Sequence, residues 1–147
     1  MIPNLFSKKE IPSTLPKDMQ NVVETLKKSK SKEDCLKKAY DILTKKYRGR
    51  KLNTYLQFFG LFTCDINKLW AKSGFLHCTN MNYLMRTLLI KSSFFKEEDI
   101  DVKFSLIWYI SLHQHLRVRI NMNKFTHVDL WGQVYGTKFG DYSQGFS

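Results

Sequence analysis

The sequence predicts an α+β protein in which helices precede a small antiparallel sheet. Apolar side chains recur at helical spacing over the first part of the chain, and after about residue 101 their period changes to two. Hydrophobic residues make up 43% of the 147 residues and aromatics 14%, which suffices for one core and excludes a disordered or fibrous chain. Because no linker or internal repeat is visible, we expect one domain over 1–147, with the proline-containing segment 1–16 as an extended lead-in.

Two N-terminal helices are predicted, at about 17–28 and 32–47. Both have apolar side chains at the i, i+3, i+4, i+7 spacing of an amphipathic helix. Ser31, which Asp34 follows three residues later, is an N-cap signal for the second helix.

The helix that matters most for function is predicted to carry a cysteine at its start. Thr79 or Asn80 can cap this helix, so Cys78 is expected at or just before its N-terminus. The helix is then expected to pack on the sheet through apolar residues that repeat at 3.6-residue spacing, namely Met81, Leu84, Met85, Leu88 and Leu89.

Three strands are predicted, at about 102–110, 114–120 and 125–131, and a turn at 121–124 makes the last two neighbours. Strict alternation separates an apolar face from a polar one in the second strand. The polar faces of these two strands hold His115, Arg117 and Arg119 on one, and His127, Asp129 and Trp131 on the other.

Charge and cysteine content restrict the class of protein. The net charge is +11, of which residues 1–51 supply +8. Three cysteines without a CxxC pair argue against a disulfide scaffold, so we expect reduced thiols and a cytoplasmic location. The N-terminal segment lacks the apolar core of a signal peptide, and no window approaches 18 apolar residues, so no membrane span is expected.

Cys78, His115 and Asp129 are the candidate catalytic residues. A thiol nucleophile needs a site that favours the thiolate, an adjacent base, and a third group that orients the base. A helix N-terminus favours an anion, which suits Cys78. His115 and Asp129 lie on the polar faces of neighbouring strands, so folding can bring imidazole and carboxylate together as a Cys-His-Asp triad.

Other residues compete for these roles. His113 shares the parity of His115, and His127 lies two residues from Asp129, so either can be the base instead. Cys64 and Cys35 are interpreted as core residues, and His77 as surface or the wall of a cleft. Arg117 and Arg119 are either a solvated rim or a site for an acidic substrate. A zinc site from Cys64, His77, Cys78 and a strand histidine matches no standard spacing, so no metal is predicted.

The stretch from about Trp70 to Trp131 resembles the core of transglutaminase-like proteins, a branch of the papain-like thiol enzymes. The matching blocks are GFLHCTNMNYLMRTLLI, HLRVRI and FTHVDLW, in that order. The resemblance covers under half of the chain. The sequence departs from the family pattern at Leu76, before the cysteine, at Arg117, after the histidine, and at Leu130, after the aspartate.

The resemblance implies covalent acyl chemistry without a cofactor. The Cys78 thiolate would attack a peptide-type amide of a peptide or protein, His115 would protonate the leaving amine, and Asp129 would orient the histidine. Water or a second amine would then resolve the thioester. Backbone N–H groups near Cys78 would hold the oxyanion, with Trp70 or Gln57 as candidate side-chain donors.

The basic N-terminal part leaves a second function open. A binding module that kept the fold without catalysis would bind nucleic acid or an acidic protein partner through nonspecific attraction of anions. No signature of a common nucleic-acid-binding module occurs, and the aromatic residues do not alternate with the basic run as in a stacking surface.

Overall fold

The structure, a computed structural model, describes residues 10–48, 65–71, 74–107 and 111–142. Helices dominate the first part and strands the second, as the change of period predicted. The elements in chain order are α1 (Lys17–Lys27), α2 (Lys32–Lys46), β1 (Tyr47–Arg48), α3 (Ile66–Ala71), β2 (Gly74–Phe75), α4 (Cys78–Lys91), a 3-10 helix (Glu97–Asp99), β3 (Ile100–Ile107), β4 (Ser111–Asn121), β5 (Lys124–Val128) and a second 3-10 helix (Trp131–Tyr135).

The predicted cap of α2 is confirmed. The Ser31 hydroxyl accepts a hydrogen bond from the Asp34 backbone N–H at 3.1 Å, which satisfies one of the amides left unpaired at a helix start. The cap of α4 differs from the prediction, because the helix begins at Cys78 and His77 takes the N-cap position without a side-chain cap.

The sheet consists of β3, β4 and β5 in that order, and both pairs are antiparallel. In β4 the residues Leu116 and Val118 are completely buried, whereas Arg119 is exposed, which confirms the predicted alternation. His113 and His115 lie an even number of residues from Arg119, so the alternation puts them on the same face. Both are nevertheless buried, at 1% and 2% exposure. This end of the polar face is therefore covered, and only the far end is solvated.

The helix α4 is the centre of the molecule. It contacts α1, α2, α3 and strand β4. The sequence predicted a single apolar stripe, but every residue from Asn80 to Leu89 is buried, including the polar Asn82 and Arg86. Because α4 is covered on all sides, its polar side chains need hydrogen-bond partners inside the protein. A buried polar group without a partner would cost free energy.

The third strand is shorter than predicted, because β5 ends at Val128 instead of reaching Trp131. Asp129 causes this early end by accepting a hydrogen bond from the backbone N–H of Gly132 at 2.9 Å, which turns the chain into the second 3-10 helix. Asp129 therefore lies just beyond the sheet. Within the part of the chain that the structure describes, no helix combines the length and apolar character needed to cross a membrane.

A substitution in the buried helix α4 should reduce stability far more than one in the exposed turn between β4 and β5. Leu84 has no exposed surface, whereas Met122 in the β4–β5 turn is 90% exposed. Leu84→Ala should lower the free energy of unfolding by about 2–5 kcal/mol because it leaves a cavity. Met122→Ala should change it by less than about 0.5 kcal/mol. Urea unfolding followed by circular dichroism measures both, and equal effects would contradict the central position of α4.

Candidate active site

Cys78 is the first residue of α4 and is partly exposed. The helix has its first backbone hydrogen bond from the Met81 N–H to the His77 carbonyl, at 3.0 Å, so its positive end is directed at the turn that holds the cysteine. Cys35, in contrast, is buried, and its sulfur lies 3.4 Å from the Ser92 hydroxyl. Burial raises the pKa of the Cys35 thiol, as expected of a core cysteine.

A buried ion pair joins β4 to the chain just after β5. The Nε2 atom of His113 lies 2.7 Å from Oδ2 of Asp129, and both side chains are almost completely buried. Because the other oxygen of Asp129 accepts the Gly132 N–H, both oxygens of the carboxylate are fixed. The carboxylate therefore determines both the tautomer and the orientation of the His113 ring.

The Cys78 side chain lies close enough to His113 to contribute to the pKa of its ring. Since Nε2 faces Asp129, the ring nitrogen left for the sulfur is Nδ1. Burial by itself lowers the pKa of His113, but the hydrogen bond to Asp129 and the effect of Cys78 outweigh it and raise the pKa to about 10. At neutral pH the ring is thus an imidazolium held between a carboxylate and a sulfur atom.

The imidazole that contacts Asp129 is therefore that of His113, and not that of His115, which the sequence predicted. Extrapolating the register from the Leu116–Val128 pair puts Asp129 opposite His115. The early end of β5 carries the carboxylate out of the ladder instead. Strand alternation could not show which histidine contacts Asp129, because His113 and His115 lie on the same face of β4. The turn at Asp129 has no periodic signal in the sequence.

His115 belongs to a neighbouring cluster of rings. Its ring stacks on that of Tyr142 with centroids 4.2 Å apart and planes 7° apart, and it lies 5.4 Å from the ring of His127. Burial lowers the pKa of His115 to about 4, and the positive groups of His113, His127 and Lys103 add to this shift against the attraction of Asp129. His115 is therefore neutral at neutral pH.

Several other candidates are placed by the structure. His77, expected at the surface or in the wall of a cleft, is buried at 2% exposure. Trp70 is buried in α3, and the Lys46 ammonium lies 4.6 Å from the centre of its ring. Arg117 donates to the Asp101 carboxylate at 2.8 Å. Gln57, Cys64 and Trp108 lie outside the described residues.

No arrangement for a metal ion is found among residues 10–48, 65–71, 74–107 and 111–142. Within these ranges, no group of three or more His, Cys, Asp or Glu side chains is placed to hold a cation. The rings of His115 and His127 both pack against Tyr142 instead.

Comparison with known proteins returned no family model, no curated protein and no solved structure that matches this chain. The interpretation of the site therefore depends on the placement of Cys78, His113 and Asp129 and on the chemistry of these three side chains.

The low pKa of His115 predicts an acid-dependent loss of stability. The unfolded chain takes up a proton at His115 near the ordinary pKa of 6.5, whereas the folded protein does so only at about 4. The stabilisation is thus complete above pH 6.5 and is lost as the pH falls towards 4. His115→Gln should reduce the decline in the free energy of unfolding over this interval by roughly 2 kcal/mol.

Urea unfolding of the wild type and the variant at pH 4.5 and 6.5 measures this difference. Carboxylates that titrate in the same interval are common to both proteins and cancel. Parallel declines would show that His115 titrates normally in the folded state.

Proposed function

We propose that this protein is a transglutaminase-like cysteine hydrolase or acyltransferase with a papain-like core, and that it acts on peptide-type amides. The nucleophile is Cys78, the acid–base group is His113, and Asp129 orients the histidine. The observation that carries the proposal is the buried 2.7 Å contact between His113 and Asp129, on a ring whose pKa the nearby Cys78 side chain helps to raise. In this proposal His113 takes the role that the sequence predicted for His115, because His113 is the histidine that contacts Asp129.

The chemistry follows from the charge of these groups. The sulfur of Cys78 attacks the carbonyl carbon as a thiolate, and the carbonyl oxygen becomes an oxyanion near the positive end of α4. When the C–N bond breaks, the His113 imidazolium gives its Nδ1 proton to the leaving amine, and a thioester remains. Neutral His113 then takes a proton from water or a second amine, which attacks the thioester and releases Cys78.

Asp129 has two tasks in this scheme. It holds the ring through Nε2, so that Nδ1 stays directed at the sulfur, and it stabilises the positive charge of the imidazolium. The raised pKa of His113 fits an acid that must remain protonated until the amine leaves. The order cysteine, histidine, aspartate along the chain is that of the resemblance, with the histidine two residues earlier than first matched.

The alternative of a basic binding module has less support. Many lysines of the two N-terminal helices have carboxylates beside them instead of forming an open cationic surface. The pairs at such positions are Lys27–Glu24, Lys32–Asp99, Lys37–Asp41 and Lys38–Asp34, and Lys124 adds a contact with Glu33.

Binding to heparin at several salt concentrations separates the two functions. A binding module should bind with an affinity that falls steeply as salt rises, and Cys78→Ala should leave this affinity unchanged. We expect weak binding instead, because four of the lysines in α1 and α2 already lie beside carboxylates. Tight, salt-sensitive binding that persists in Cys78→Ala would favour the alternative.

The proposed pairing of Cys78 with the cationic His113 ring should make Cys78 reactive at mildly acidic pH. In a Cys35→Ser, Cys64→Ser background, iodoacetamide should alkylate Cys78 readily at pH 6, where an ordinary thiol with a pKa near 8.5 reacts slowly. His113→Ala should lower this rate by about 10–100-fold, because the thiolate loses its cationic partner. Mass spectrometry of quenched samples from pH 5 to 9 gives the rates.

His115→Ala is the matched control, since this ring lies on the same strand face without contacting Asp129 by a hydrogen bond. Its profile should follow that of the background protein. The proposal fails if Cys78 reacts only above about pH 8, or if both histidine variants have the same effect.

A further inference from the structure

A buried pair of amide side chains links the helix that carries Cys78 to the strand that carries His113. The Nδ2 atom of Asn82 donates to the backbone carbonyl of Gln114 and to its side-chain Oε1, each at 3.1 Å. Asn82 is 2% exposed and Gln114 is 7% exposed. One donor group thus binds both the main chain and the side chain of a single residue on the neighbouring element.

The position of this contact along both elements is informative. Asn82 follows Cys78 by four residues, so the two side chains share a face of α4, one turn apart. Gln114 is the direct neighbour of His113 in β4. The contact therefore joins the helix of the sulfur to the strand of the imidazole, one helical turn from Cys78 and one residue from His113.

At Gln114 the strand β4 is paired with β3 but no longer with β5. The ladder between β4 and β5 ends at the Leu116–Val128 pair, so Gln114 lies beyond it. On the other side, Gln114 pairs with Phe104 of β3. The hydrogen bonds from Asn82 fix the β4 backbone to α4 where the strand β5 no longer holds it.

The small net free energy expected of the Asn82–Gln114 contact indicates that it fixes the positions of α4 and β4 more than it stabilises the fold. Two buried amides that bind each other contribute little net free energy, because both lose hydrogen bonds to water on folding. Apolar side chains of similar volume would fill the same space without that loss. What the amides add is direction, because a satisfied polar contact in a core accepts few alternative arrangements.

We propose that Asn82 and Gln114 are positioning residues that hold the Cys78 sulfur and the His113 ring at hydrogen-bonding distance. This inference rests on the proposed function, because it assigns the pair to the same site. Neither residue touches the reacting atoms. Their effect is exerted through the relative position of α4 and β4.

Asn82→Leu tests the proposal, since leucine keeps the volume and removes both hydrogen bonds. In the background with Cys78 as the single cysteine, the alkylation rate at pH 6 should fall by about 10–100-fold, the loss expected from displacing reacting groups by about 1 Å. Gln114→Leu, which retains the backbone acceptor, should give a smaller loss and serves as the second variant if Asn82→Leu does not fold.

Thr87→Val is the matched control. Thr87 is buried in the same helix, but its hydroxyl bonds the Tyr83 carbonyl within that helix. This variant should lower thermal stability without changing the pH profile of alkylation. An equal loss of rate in Thr87→Val and Asn82→Leu would show that general destabilisation, and not position, determines the rate.

A second readout does not depend on the reactivity of Cys78. The ring resonances of His113 in a ¹H–¹⁵N spectrum should move in Asn82→Leu and remain in place in Thr87→Val. If a folded Asn82→Leu keeps these resonances and its alkylation rate, the inference is overturned. If the parent protein itself lacks alkylation at pH 6, the proposed function fails, and the His113 resonances alone decide whether Asn82 positions the ring.

Discussion

The hydrogen bond between His113 and Asp129 is the interaction on which the site depends. It lies at the end of the sheet, where β5 has stopped and the chain turns at Gly132. A buried carboxylate without a partner would cost several kcal/mol, so the pair must form whenever this end of the sheet folds. Its formation leaves the second ring nitrogen of His113 free of the carboxylate, and α4 places Cys78 close enough to contribute to the pKa of that ring.

Two histidines on one strand face illustrate how the surroundings determine protonation. His113 binds a carboxylate near a sulfur, and its pKa rises to about 10. His115 stacks on Tyr142 and is buried, and this burial lowers its pKa to about 4. Groups whose surroundings shift their pKa values in opposite directions are typical of sites that perform acid–base chemistry. His113 is a proton donor at neutral pH, whereas His115, on the same strand face, is neutral.

Much of the fold could be predicted from the sequence. Helical spacing located α1 and α2 to within a residue or two, the serine before α2 predicted its cap, and the change to period two located the three strands. The pattern also placed Cys78 at or just before the start of α4, although the predicted caps, Thr79 and Asn80, lie inside the helix. These features depend on neighbours in sequence, which the apolar period reports directly.

The pairing inside the site could not be predicted in the same way. Alternation placed His113, His115 and Asp129 on polar faces, but choosing between the histidines required the point where β5 ends. That point is set by a side chain that bonds the backbone three residues later, which leaves no periodic signal. The contact between Asn82 and Gln114 could not be predicted, because Asn82 lies outside the apolar stripe of the helix pattern, whereas α4 is buried on all sides.

The protonation state of the His113 ring tests most directly whether Asp129 keeps this histidine positively charged. Long-range ¹H–¹⁵N correlation spectra of protein labelled with ¹⁵N-histidine give the shifts of both ring nitrogens as the pH is raised from 6 to 10. We expect a doubly protonated His113 ring that persists beyond pH 8 and that titrates at lower pH in Asp129→Asn. A His113 ring that loses its proton near the ordinary value of about 6.5 would contradict this expectation.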